Sequence, residues 1–161
     1  MNIYTVSFFG HRQVEDFFNV ERRLENLIRE LLHKKEYVEF LVGRNGEFDQ
    51  LVASTVHRLK RIVAADNSAL VLILPYMTAE FANNQESFAS YYDEIEVSDA
   101  AVSKHFKAAI QVRNREIIDR SDMVICYITH KSGGAYQSVQ YAEKLEKRII
   151  NIAEDPTIMY L

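Results

Sequence analysis

Tryptophan is missing from the 161 residues; cysteine occurs once, proline twice and glycine five times. A single cysteine excludes a disulfide framework within the chain. Cys126 lies in the apolar run MVICYI and reads as a buried core thiol, packing as a small hydrophobe does. So little glycine and proline excludes collagen-like, linker-like and loop-dominated chains. No apolar run reaches the ~18 residues that a membrane span needs. The start, MNIYTVSFF, lacks the basic and long apolar regions of a secretory signal. A cytoplasmic protein without membrane contact is expected. Positive charge is not in excess either: the formal net charge is −4. The global field gives no attraction to phosphates, so nucleic acid is not expected as a partner.

The length suits one domain, 1–161, burying about two thirds of its unfolded surface. Its apolar pattern alternates between strand and helix periods. Strands are expected at 4–9, 38–42, 69–74 (ALVLIL, apolar throughout), 123–129 and 148–153. Helices are expected at 14–35, 48–65, 106–120 and 134–147, with apolar residues three and four apart. Glu15 and Asp16 would open the first helix, and His33, Lys34 and Lys35 would close it, complementing its dipole. The tail, 154–161, reads as surface or a short edge segment. Residues 75–105 break the rhythm. They are acidic and aromatic, with Tyr76, Phe81, Phe88, Tyr91 and Tyr92, and read as an insert or lid.

Strand–helix alternation implies an α/β three-layer sandwich. A mainly parallel five-stranded sheet, order 3-2-1-4-5, would carry helices on both faces. Strands one and four then meet where the order reverses, and ligands bind at such a switch point. Three loops converge there. Gly10-His11-Arg12 offers close backbone approach and a bidentate cation for phosphate. Gly43-Arg44-Asn45-Gly46 precedes a helix, with Glu47 and Asp49 in its first turn; these acids complement the dipole, or Asp49 accepts from a ribose hydroxyl. Thr129, His130, Ser132, Gly133 and Gly134 lead into the last helix and form an anion nest.

Arg113 and Arg115 diverge on their helix, so at most one faces the crevice; Asn114 is the other candidate. Asp122 after Ser121 reads as a turn or cap residue. His11 and His130 could meet, but two histidines without a carboxylate at fixed spacing give no metal signature. His33 and His57 read as helix-surface residues. No nucleophile elbow or Cys-His pair is present. Adjacent apolar pairs on the first helix (Phe17, Phe18; Leu31, Leu32) suggest a homodimer or higher homo-oligomer.

The strings FFGHR (8–12), LVGRNGEFD (41–49), YYDEI (91–95) and RNREIIDRSDMVICYITHKSGGA (113–135) together resemble the YspA-like branch of the SLOG superfamily, over nearly the whole chain. That superfamily is Rossmann-like. Its relatives include LOG-type phosphoribohydrolases and the DNA-processing protein DprA. The resemblance implies a nucleotide, NAD or ADP-ribose-like ligand at the glycine loops, bound by a sensor or regulatory module. Alternatives are an N-glycosidic enzyme (phosphoribohydrolase or deoxyribosyltransferase) and DprA-like single-stranded DNA binding. The enzymatic relatives carry an arginine, then Pro-Gly-Gly-x-Gly-Thr-x-x-Glu. Arg113 matches the arginine and Gly133-Gly134 the glycine pair. Ser132 replaces the proline, and Tyr136-Gln137 the Gly-Thr. The glutamate falls near Val139 or Gln140, neither acidic, and Glu143 lies a helical turn further. A catalytic carboxylate would have to come from Asp49, Asp93 or Glu94.

Overall fold

Every described strand of the sheet runs parallel to its neighbours. The computed structural model describes residues 1–63, 66–99 and 105–154. In chain order the elements are β1 (Ile3–Gly10), α1 (Phe17–Lys34), β2 (Tyr37–Val42), α2 (Glu47–Val63) and β3 (Ser68–Leu74). Then come α3 (Ala79–Asn83), α4 (Gln85–Tyr91), β4 (Glu94–Val97), α5 (Phe106–Arg120), β5 (Met123–Tyr127), α6 (Gly134–Lys144) and β6 (Arg148–Asn151). The order across the sheet is β4-β3-β2-β1-β5-β6.

This corrects the five-stranded expectation. The sixth strand, β4, comes from the stretch read as an insert, and pairs from Val71↔Glu94 to Leu74↔Val97. Four residues with two acids carry too little apolar signal to be read as a strand, yet shortness and charge suit an exposed sheet edge. Around β4, α3 and α4 fold Phe88 and Tyr92 onto the core. The expected ends at 64–65, the stretch 100–104 and most of the tail, 155–161, lie outside the described residues.

Alternation along each strand builds the two cores. Val6, Phe8, Phe40, Leu70, Leu72 and Ile125 pack beneath α1 and α2. Phe9, Leu41, Val71, Ile73, Val124 and Cys126 pack against Ile117 and Ile118 of α5 and Val139 and Ala142 of α6. Continuous apolar runs are what strands covered on both faces require. Leu31 and Leu32 of α1 are both buried within the chain, so neither is left to face a second copy. Phe17 and Phe18 stay exposed.

The α1 helix starts later than expected. Asp16 is its N-cap, in the left-handed region (φ 53°), and the first turn holds no acid. Both Asp16 carboxylate oxygens accept from Asn19 Nδ2 (3.0 and 2.9 Å). Before β5, the Ser121-Asp122 turn ties α5 to β1. Asp122 Oδ2 accepts from the Thr5 N–H (2.8 Å), and the Asp122 N–H returns a bond to the Thr5 carbonyl (2.8 Å). No described helix is long and apolar enough to cross a membrane.

Candidate functional site

A crevice of about 440 Å³ opens at the carboxyl ends of β1, β2 and β5. Its floor is set by Gly10, the last residue of β1: a Cβ there would come within 2.3 Å of the Phe48 ring. This glycine lets α2 close onto the strand end. Gly46 does similar work, since its Cβ would lie 2.6 Å from Arg12 Cα. The Glu47 N–H donates to the Arg12 carbonyl (2.8 Å), and the Glu47 carboxylate accepts from the Val14 N–H (2.9 Å). The first turn of α2 is thus engaged in holding the β1–α1 loop.

The start of α6 is open. Gly133 has φ 93° and ψ 174°, with no side-chain cap, a combination essentially reserved for glycine. A Cβ on Gly133 or Gly134 would meet nothing within 4 Å. The first intrahelical acceptor bond is Gln137 N–H to the Gly133 carbonyl (3.1 Å). The N–H groups of Gly134, Ala135 and Tyr136 therefore have no partner in their own helix, and the positive end of its dipole is exposed.

His11 and His130 stack across the crevice mouth, with ring centroids 3.7 Å apart and planes 7° from parallel. His11 Nε2 accepts from the backbone N–H of Thr129 (3.0 Å) and of His130 (3.4 Å). That assigns a neutral ring with its proton on Nδ1. Desolvation and then the charge of His130 hold the His11 pKa below its ordinary value. His130 Nδ1 pairs with Ser132 Oγ (2.9 Å).

Behind this mouth lies a charged pair. Arg113 is only 2 % exposed; it donates through Nη1 to the Ile73 carbonyl (2.9 Å) and through Nε to Asn114 Oδ1 (2.9 Å). Asn114 Nδ2 reaches Ser138 Oγ (3.2 Å), which donates to the Gly134 carbonyl (3.0 Å). Asp49 Oδ2 accepts from the Asn45 N–H (2.8 Å). Burial raises the Asp49 pKa, against the pull of the Asn45 N–H and the Arg113 charge. Burial lowers that of Arg113, opposed by Asp49. The two groups meet over Gly43, where a Cβ would lie 3.2 Å from Arg113 Nη1 and 3.3 Å from Asp49 Oδ2.

Of the expected residues, Gly10, His11, Arg12, Asn45, Asp49, Asn114, Thr129, His130, Ser132, Gly133 and Gly134 line the crevice. Gly43, Gly46 and Arg113 stand behind its wall as spacers and support, and of the expected helix residues Arg113, Asn114 and Arg115 it is Asn114 that lines the crevice. Asp93 and Glu94 do not belong to it. Asp93 accepts from Leu70 N–H (2.7 Å) and from Lys60 Nζ, and Glu94 pairs with Val71 on the edge strand β4. No described residue between 75 and 99 lines the crevice; that part of the expected lid forms α3, α4 and the edge strand β4 instead. His57 is not a bare surface residue: its ring stacks on Tyr91 at 4.4 Å. Gln13, Glu15, Ile110 and Ala135 also line the crevice. Ile110 had a readable signal, one helical turn before Asn114.

The site can hold an anion at the α6 terminus and Arg12, and accept from a hydroxyl at Asp49. Cys126 supplies no nucleophile, because it is buried and desolvation pushes its pKa up to about 12. Among the described residues, no three or more His, Cys, Asp or Glu gather as metal ligands.

No family model and no curated protein matches this chain. Solved structures do. The chain resembles DNA processing protein A (DprA) from Helicobacter pylori, with TM-score 0.62 and 18% identity, covering 91% of this chain and 63% of that one. DprA from Streptococcus pneumoniae gives TM-score 0.62 and 13% identity, covering 91% of this chain and 49% of that one. The fold is the Rossmann-like one these DprA proteins share. The chain spans 63% and 49% of their respective lengths, less than two thirds of either. The Helicobacter pylori protein has a single-stranded DNA binding mode. Net charge therefore does not set nucleic acid aside as a partner for this architecture, which corrects the expectation drawn from −4. A whole-chain sum says little about a local phosphate contact.

Proposed function

We propose that this chain is a DprA-like binding module whose crevice takes the sugar-phosphate of a nucleotide unit in single-stranded DNA. The observation that carries the proposal is the open α6 terminus at Gly133–Gly134, facing Arg12 and the His11–His130 pair at the switch point. Unpaired helix N–H groups and a guanidinium are the donors that a phosphate needs. The likeness in fold to a single-stranded-DNA-binding protein supports the same reading.

Fluorescence anisotropy with labelled oligothymidylate tests it. Wild type should bind, and Arg12→Ala and Gly134→Asp should each lower affinity at least tenfold while melting near the wild-type temperature. Unchanged affinity in both variants refutes the assignment of the crevice.

A free nucleotide derivative is the second reading, favoured by Asp49. Its carboxylate lines a bounded cavity of small-molecule size, placed to accept from a ribose hydroxyl. Thermal stabilisation by NAD, ADP-ribose or AMP, with none by oligonucleotide, would select it. Asp49 is also the one candidate carboxylate still in reach of such a ribose, so product analysis follows any positive nucleotide. A homodimer mediated by α1 would use its exposed Phe17 and Phe18, and a monomeric mass by light scattering removes it.

A further inference from the structure

A second cavity, of about 550 Å³, lies between α2 and α4 on the other side of the β2–α2 loop. Successive residues divide between the two cavities. Asn45 lines the crevice and Arg44 the second pocket; Glu15 lines the crevice and Phe17 the pocket. Only the short ridge 44–47, pinned to the 12–14 loop, stands between them.

The chemistry of the second pocket differs from that of the first. Its walls are aromatic: Phe17, Phe88, Tyr91 and Tyr92. Tyr91 is braced from behind by His57 and edge-on by Tyr92 (5.2 Å). Phe17 is 50% exposed at the rim, which leaves its ring free to be covered. The cation is already neutralised, because Arg44 Nε donates to Glu80 (2.8 Å), Nη1 to Tyr92 Oη (3.0 Å), and its guanidinium covers Phe88 (4.9 Å). Such a wall has no charge left for a phosphate. Gln50 lines the pocket with an amide that has no hydrogen-bond partner among the described residues. An amide offers a donor and an acceptor side by side, as a base edge requires.

We infer that this pocket is a second subsite that takes an unstacked nucleobase, from the nucleotide next to the one whose phosphate sits in the crevice. The inference rests on the proposed single-strand binding and names where the neighbouring base goes. Stacking on aromatic side chains is the sequence-tolerant part of single-strand recognition.

The test compares wild type, Phe17→Ser, Tyr91→Leu and Gln50→Ala for oligothymidylate by anisotropy and for thymidine 5′-monophosphate by thermal shift. Loss of one stacked base corresponds to roughly 5- to 150-fold in affinity. That loss is expected for the oligonucleotide in Phe17→Ser and Tyr91→Leu. A smaller loss is expected in Gln50→Ala, whose exposed side chain can be removed without touching the core. The monophosphate response should stay at the wild-type level in all three. Variants that bind the oligonucleotide as tightly as wild type, while Arg12→Ala does not, overturn the second subsite and leave the crevice reading intact. Wild type that binds no oligonucleotide overturns both.

Discussion

Arg113 shows how one side chain can serve a site without entering it. Its guanidinium is buried, bonded to the Ile73 carbonyl and to Asn114, and faces Asp49 across Gly43. Arg113→Met should leave the carbonyl and the Asn114 amide without their donor. Each buried orphan costs roughly 1–3 kcal/mol, so chemical denaturation should show a lowered midpoint. His11 makes a different prediction. Its folded-state pKa is held below the ordinary value of about 6.5, so the folded state binds its proton less readily than the unfolded chain. The stability from neutral His11 is fully present above pH 6.5 and is lost as pH falls below it. Melting temperature should drop from pH 7 to 5.5, and the drop should be smaller in His11→Gln. An equal drop in both would assign the acid sensitivity to other groups.

At the scale of elements, the glycines separate into two kinds. Gly10 is fixed by packing, because α2 closes onto it through Phe48. Gly10→Ala should destabilise by about 1–3 kcal/mol, the usual range for overpacking. Gly134 has open space where a Cβ would go. Gly134→Ala should therefore melt near wild type, and thermal denaturation of the two variants side by side checks the distinction. Both glycines end a strand or begin a helix in the one-dimensional pattern, so their different roles could not be read there. Only the approach of a distant helix separates them. The long runs were readable for the opposite reason. ALVLIL and MVICYI are apolar because helices cover both faces of the sheet, a requirement local enough to leave its mark on consecutive residues. β4 has a single neighbour and four residues, so the fact that makes EIEV a strand, pairing with β3, lies more than twenty residues away. The Glu15-Asp16 pair was similarly misread as a first helical turn. Asp16 instead takes a left-handed conformation that its own side chain helps to hold.

For the whole molecule, the useful quantity is charge by location. A net −4 argued against a nucleic-acid partner, yet the crevice offers its donors within one short stretch of surface. Single-strand binding there should have a shallow salt dependence. Each neutralised phosphate contributes about 0.7 to the slope of log K against log salt. One or two contacts at Arg12 and the α6 terminus predict a slope between about −0.7 and −1.4 by anisotropy titration in increasing sodium chloride. A steep slope would instead require further cations beyond Arg12, the one Lys or Arg among the described residues lining the crevice. The crevice itself was largely legible, because β1 and β5 fall side by side once the parallel order is drawn. The second pocket was not. It needs α4 to swing Tyr91 and Tyr92 back over α2, and nothing in their spacing reports that return.

Two helices start at the crevice rim, and they are not equivalent. The Glu47 N–H that opens α2 is spent on the Arg12 carbonyl, and the Glu47 carboxylate beside it on the Val14 N–H, whereas the N–H groups opening α6 have no partner in their own helix. A linear ligand with distinct 5′ and 3′ ends meets one receptive bank and one spent one. Threading in the two directions is therefore unequal in energy, and the asymmetry imposes a polarity on whatever strand lies across the ridge.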